Sequence, residues 1–385
     1  APTALASALR GVLSAPALGQ VTASVVDVAT GRTLYAQNAG QAQKPASTNK
    51  IATAVAALSL LGDDHRFTTR VVQPAPGRLV LVGGGDPTLS SAGLSRLAAD
   101  TARALRAAGT TSVRLGYDIS AFAAPALHPI GVNENIALVQ ALTVDEGRID
   151  PHSTENAPRW PDPAARAAQV FAQQLRAQGV HVSGGSSVGQ SGGSSGTTVA
   201  ELASPPLADI VEEMLTESDN DVAEALGHQV ARASGQAATF TGAAAAVQAQ
   251  LTRLGVRLGS TRLADSSGLS GADALPAAVL TQLLTLAAGP AHPELRPVLT
   301  GLPVAGFTGT LGDRYSSDGA SAGRGVVRAK TGSLSTVNTL AGVVVDRDGR
   351  VLAFAFMSNA SSAATARPAL DRAAAALAAC GCGAG

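Results

Sequence analysis

Aromatic side chains make up only 3% of the 385 residues and charged ones only 15%. So few rings leave base stacking without platforms, and 28 cations cancelled by 28 anions leave no basic footprint for nucleic acid or an anionic membrane. Long apolar runs are missing as well. The Ala-rich C-terminal run is cut by Asp371, Arg372 and then glycine, so no transmembrane segment is expected. Cysteine is confined to Cys380 and Cys382 in a Gly-rich tail, where a bond across one residue closes a strained small ring. That tail is either inert or holds a local disulfide, in preference to catalysis. The six histidines, at 65, 128, 152, 181, 228 and 292, lack ligand spacing, so no metal site and no cofactor are called for.

Lysine is the most informative scarcity. It occurs only at Lys44, Lys50 and Lys330, against 25 arginines. A guanidinium stays protonated at any relevant pH, whereas a desolvated ammonium can lose its proton, so the surviving lysines are candidates for proton chemistry. Lys44 by itself reads as a chance survivor.

What is present organises the chain. A length of 385 residues suggests two or three domains with a sizeable core built from Ala, Val and Leu. Apolar spacing predicts a helix over 3–13, a hairpin over 21–35 turning at Thr30-Gly31-Arg32, and a nearly all-apolar central helix from Ile51 to Leu61. Near the C-terminus, 325–331, 337–346 and 351–358 read as strands before a helix over 363–379, and all of these strands could share one antiparallel sheet with the hairpin. The middle changes character, with a turn at Gly83-Gly84-Gly85-Asp86-Pro87 and helices over 94–108 and 163–178. It reads as an insertion leaving through a Gly/Ser-rich linker, Ser183 to Thr198. Further helices follow from Pro205 to Leu226, 238–254 and 276–288. Gly192-Gly193-Ser194-Ser195-Gly196 fits a hydrolase G-x-S-x-G pattern but lacks the strand and helix that pattern requires.

Three motifs carry chemistry. Ser47-Thr48-Asn49-Lys50 puts a hydroxyl and an ammonium three residues apart on one helical face, with the serine at the helix N-terminus. Desolvated beside another cation, Lys50 could accept the serine proton. Ser218-Asp219-Asn220 breaks two apolar helical runs and can present a hydroxyl and an amide to a cleft, although it could equally be a helix stop and cap. Lys330-Thr331-Gly332-Ser333 lies on a strand, where the hydroxyls suit a carboxylate and Gly332 lets a ligand backbone approach. Each is weak alone. In this order, and using two of three lysines, they form the S-x-x-K, S-D-N, K-T-G set of β-lactamases and penicillin-binding proteins.

The chain resembles the D-alanyl-D-alanine carboxypeptidase/endopeptidase family of low-molecular-mass penicillin-binding proteins, in the branch with a long insert between the first two motifs. Leu79-Val80-Leu81-Val82-Gly83-Gly84-Gly85-Asp86-Pro87, Val144-Asp145-Glu146-Gly147-Arg148, Asp265-Ser266-Ser267-Gly268-Leu269-Ser270 and Arg328-Ala329-Lys330-Thr331-Gly332-Ser333-Leu334 extend the likeness over nearly the whole chain. The resemblance implies an α+β fold, an α/β sandwich in which a penicillin-binding, transpeptidase-like domain (1–66 and 200–385) has a central antiparallel five-stranded sheet flanked by helices. A smaller inserted domain, 67–199, is expected to be reduced relative to the family.

It also implies a serine peptidase acting through a covalent acyl-enzyme on peptidoglycan stem peptides and inhibited by β-lactams. Ser47 would be the nucleophile and Lys50 its base, Ser218 a proton relay and Asn220 a holder of the peptide carbonyl. Lys330 would supply field, and Thr331 and Ser333 would take the terminal carboxylate. The backbone N–H groups of Ser47 and Ser333 would form an oxyanion hole. Leu269, Leu334 and Ser335 would line a side-chain pocket with Asp145 offering a carboxylate to an ammonium. Gly271 stands where relatives often carry arginine, so a side chain without a free acid is expected to be preferred. An exported, extracytoplasmic protein with its signal peptide removed is expected. A β-lactamase is the runner-up, but 168 residues separate Lys50 from Ser218 and no deacylating glutamate in an E-x-x-L-N context is present. A non-catalytic wall-binding sensor would not need every catalytic position intact.

Overall fold

Strands from the two ends of the chain close into one sheet in the computed structural model, which describes residues 2–131, 133–153, 156–183 and 195–381. They are β1 (Gln20–Asp27), β2 (Thr33–Gln37), β3 (Arg328–Leu334), β4 (Val337–Val345) and β5 (Val351–Asn359). Their order is β3-β4-β5-β1-β2, antiparallel throughout. The first strand pairs with the last along its whole length, from Gln20 opposite Asn359 to Asp27 opposite Leu352. β3 is therefore an edge strand with one neighbour.

Alternation sorts the side chains between two faces. Val21, Ala23 and Val25 join Leu340, Phe354 and Phe356 in a core closed by α1 (Pro2–Leu13) and α4 (Ala363–Ala378). Burial of each such Phe or Leu is worth roughly 1.5–3 kcal/mol. The residues between them face α3 (Ala277–Ala288), where Ser24 Oγ and Thr281 Oγ1 lie 2.9 Å apart. Behind α3 packs α2 (Lys50–Leu61), buried from Lys50 through Leu58, as the nearly all-apolar composition of 51–61 predicts. The expected strand over 325–331 is displaced to 328–334. Gly325 has φ +72°, and the N–H groups of Val326 and Val327 both turn back to Gly323 O, so these residues cannot join the ladder.

The chain divides into two units. The first comprises the residues up to Asp63, Val211–Asp219 and those from Ala244 onward; the second comprises Asp64–Ile210 and Asn220–Ala243. The sequence groups 220–243 with the 200–385 stretch, yet they cluster with the second unit, where Arg159 and the Ala137 N–H both bind the Asp221 carboxylate and Gln229 donates to Gly84 O. The second unit has its own five-stranded sheet, which the sequence reading did not identify. Its order is His181–Ser183, Ser112–Asp118, Arg78–Val82, Thr68–Ala75, Thr197–Ala203. Helix Ser91–Ala107 connects the parallel pair Arg78–Val82 and Ser112–Asp118, the crossover that parallel strands require. The expected linker from Ser183 to Thr198 begins and ends in strands of this sheet. Its interior, with most of the G-x-S-x-G match, lies outside the described residues. Cys380 is disulfide-bonded, and Cys382 also lies outside them.

Candidate active site

Ser47 sits in a 3-10 turn, Ala46–Asn49, that runs directly into α2. Three residues of helical advance bring Lys50 Nζ to 3.0 Å from Ser47 Oγ, as the spacing predicts. Ala46 takes a left-handed φ of +47°, a conformation costing a non-glycine residue of order 1–3 kcal/mol unless its surroundings impose it. Pro45 O receives the hydroxyls of Thr48 and Thr339, each at 2.7 Å, which pins the turn from both sides. Lys50 and Lys330 are both fully buried. Burial and the adjacent Lys50 push the Lys330 ammonium well below its ordinary pKa, against the opposing pull of Glu217. Two buried amines that repel one another disfavour the doubly protonated state.

The 265–270 segment, which the sequence marked only by its likeness to the family, holds Lys50. Three consecutive carbonyls accept donors from the nucleophile's segment: Asp265 O from Asn49 Nδ2 at 3.2 Å, Ser266 O from Thr53 Oγ1 at 2.6 Å, and Ser267 O from Lys50 Nζ at 3.0 Å. Gly268 then passes so close that a Cβ there would lie 1.9 Å from Ala46 O. The Asp265 carboxylate folds the loop by accepting from the N–H groups of Gly268 and Ser270, both at 2.6 Å. Beneath it Asp273 accepts from Ala264 N at 2.7 Å. Burial, and then the charge of Asp265, push the Asp273 carboxyl up to about 9, so it is neutral at pH 7. Folding therefore takes up a proton at Asp273. The stability tied to that proton is complete below the ordinary carboxyl pKa of about 3.8 and is lost progressively as pH rises toward about 9. Asp273→Asn mimics the neutral acid, so the variant is expected to gain melting temperature relative to the parent between about pH 5 and pH 8. Parallel melting curves across that range would contradict the assignment.

The third motif splits by strand alternation. Lys330 and Gly332 face the Ser47 turn, and a Cβ on Gly332 would stand 2.1 Å from Thr339 Oγ1 and 2.7 Å from Pro45 O. Glycine is needed there by the turn itself, a requirement the sequence did not foresee. Thr331 and Ser333 project to the alternate side, where Thr331 Oγ1 meets Thr310 Oγ1 at 2.8 Å and Arg367 Nη2 donates to Ser333 Oγ at 3.2 Å. Leu334 ends β3 and is half-buried, Ser335 is exposed in the following turn, and Leu269 is half-buried on the 265–270 loop. Ser218 closes the helix Leu207–Glu217 in a left-handed conformation, φ +64°. Asn220 and Asp145 belong to the second unit. There Asn220 Nδ2 donates to Asn135 O at 3.0 Å, and the Asp145 carboxylate accepts from both the N–H and the hydroxyl of Ser91. Beside Gly271 the structure supplies a cation the sequence did not: Lys44 Nζ lies 3.8 Å from where a Cβ on residue 271 would be.

The chain is similar to proteins of known family and fold. The D-Ala-D-Ala carboxypeptidase 3 (S13) family matches residues 5–160 and 154–379. A curated relative, carboxypeptidase DacB of Mycolicibacterium smegmatis, is 41% identical over 99% of this chain and 85% of its own length. The crystal structure of penicillin binding protein 4 from Haemophilus influenzae superposes with a TM-score of 0.78 at 24% identity, covering 96% of this chain and 97% of that one. The same protein complexed with a β-lactam gives 0.74 at 23% identity over the same shares. At these identities the two structures speak for the fold.

Proposed function

The chain belongs to the D-Ala-D-Ala carboxypeptidase 3 (S13) family, and on that premise we propose that it is a serine D-Ala-D-Ala carboxypeptidase of peptidoglycan stem peptides, with Ser47 as nucleophile and Lys50 as base. The observation that carries the assignment is the 3.0 Å contact between Lys50 Nζ and Ser47 Oγ, with Lys50 and Lys330 both fully buried. Neutral Lys50 takes the Ser47 proton as Oγ attacks the carbonyl of the penultimate D-alanine. The developing oxyanion meets backbone N–H groups, for which we propose those of Ser47 and Ser333. The C–N bond then breaks, the leaving D-alanine amine receives the proton by way of Ser218, and water hydrolyses the serine ester. Asn220 takes the role its motif carries, on the substrate's peptide carbonyl. β-Lactams would trap the same serine, because their strained amide sits beside a carboxylate as the terminal dipeptide's amide does.

The polymer concerned lies outside the cytoplasmic membrane, so we propose an extracytoplasmic location. Among the described residues no helix is long and apolar enough to cross a membrane. Chromatography of products from a D-Ala-D-Ala pentapeptide tests the function: release of D-alanine supports it. No release, together with rapid turnover of penicillin, would support a β-lactamase instead.

Lys44 changes the expected side-chain preference. With its ammonium beside Gly271, a free acid on the peptide's long side chain finds a cation, so the penalty expected for that acid is removed. Lys44→Ala is expected to lower kcat/KM for the free-acid peptide about three- to fivefold, the scale of an exposed ion pair, and to leave the amidated peptide unchanged. Equal losses on both peptides would rule the contact out.

A further inference from the structure

Arg367 stands in the early part of α4 and reaches across to the edge strand, where its Nη2 donates to Ser333 Oγ at 3.2 Å. Its acidic neighbour one turn on, Asp371, is already committed: Arg314 binds it through two nitrogens, at 2.6 and 3.1 Å. Arg367 itself makes no ion pair among the described residues and is exposed, as is Ser333. A serine hydroxyl has one proton to give and two lone pairs to receive with. Because the guanidinium occupies a lone pair, the hydroxyl proton is left free to point outward, toward an anion. The result is an exposed planar cation, whose nearest carboxylate, Asp371, is already bound by Arg314, and an outward donor side by side on the open edge of β3, the place where an extended peptide can lie along the strand.

We propose that Arg367, with the Ser333 hydroxyl, binds the terminal carboxylate of the peptide and so determines specificity for a free-acid C-terminus. This rests on the function proposed above. A guanidinium matches a carboxylate with two parallel N–H donors and retains its charge at every pH of interest. Hydroxyls alone would bind a carboxylate and a carboxamide with far less discrimination.

The test compares the unaltered enzyme with Arg367→Gln and Arg367→Lys on a D-Ala-D-Ala peptide, with the carboxamide of the same peptide as a competitive inhibitor. Arg367→Gln is expected to lower kcat/KM for the free acid about tenfold, chiefly through KM, while the inhibition constant of the carboxamide stays within about twofold. Arg367→Lys, which keeps the charge but loses the fork, should recover part of the loss. Equal weakening of acid and carboxamide would assign Arg367 a merely structural part and overturn the proposal, as would an unchanged kcat/KM. If the unaltered enzyme neither releases D-alanine nor is labelled by penicillin, the functional reading itself fails and takes this inference with it, an outcome distinct from the other two.

Discussion

Incubation with penicillin is expected to yield one covalent adduct by intact-mass spectrometry, mapping to Ser47, and Ser47→Ala is expected to yield none. The motive is the geometry of the turn: Ala46 is held left-handed, Pro45 O is pinned by two hydroxyls, and the Ser47 hydroxyl meets Lys50 at 3.0 Å. Loss of the nucleophile is absolute, because no other group can form the ester. The substitution itself removes one half-buried hydroxyl, so the variant should melt near the parent. An adduct of undiminished intensity in Ser47→Ala would sink the assignment. The unaltered adduct should persist, since no deacylating glutamate in the E-x-x-L-N context is present.

Lys50→Arg is expected to slow acylation by about two or more orders of magnitude, the usual scale for loss of a general base. The substitution retains a cation and a donor but removes the only protonation state that can accept a proton near neutral pH. Two controls separate base loss from disruption. Thermal unfolding reports whether the larger guanidinium has displaced the 265–270 loop, which binds Lys50 through Ser267 O. The parallel variant Lys330→Arg tests the neighbouring amine. Near-normal penicillin labelling of a folded Lys50→Arg would refute the role of Lys50.

Buried Lys330 bears on both results. Its ammonium is destabilised first by burial and then by Lys50. The opposite pull comes from Glu217, one residue before Ser218.

Much of this was legible in sequence because it is local or periodic. The scarcity of lysine singled out Lys50 and Lys330, the i, i+3 spacing joined Ser47 to Lys50, and the strands read over 337–346 and 351–358 do share a sheet with the N-terminal hairpin. Periodicity and short-range spacing depend on backbone geometry alone, which is the same in every fold. The second unit's sheet was less legible, because strands such as His181–Ser183 are too short for a period to show.

Tertiary structure decided the rest. The carbonyls that fix Asn49, Thr53 and Lys50 lie more than 200 residues away in sequence, and a carbonyl carries no residue identity to read. Whether Gly332 makes room for a ligand or for Pro45 and Thr339 depends on what faces it across a strand. Lys44 beside Gly271 and Arg367 on Ser333 are meetings of side chains from distant segments. Composition and spacing name which groups can do chemistry, but only the fold brings a cation to a vacant position or uses up one carboxylate so that another charge stays free.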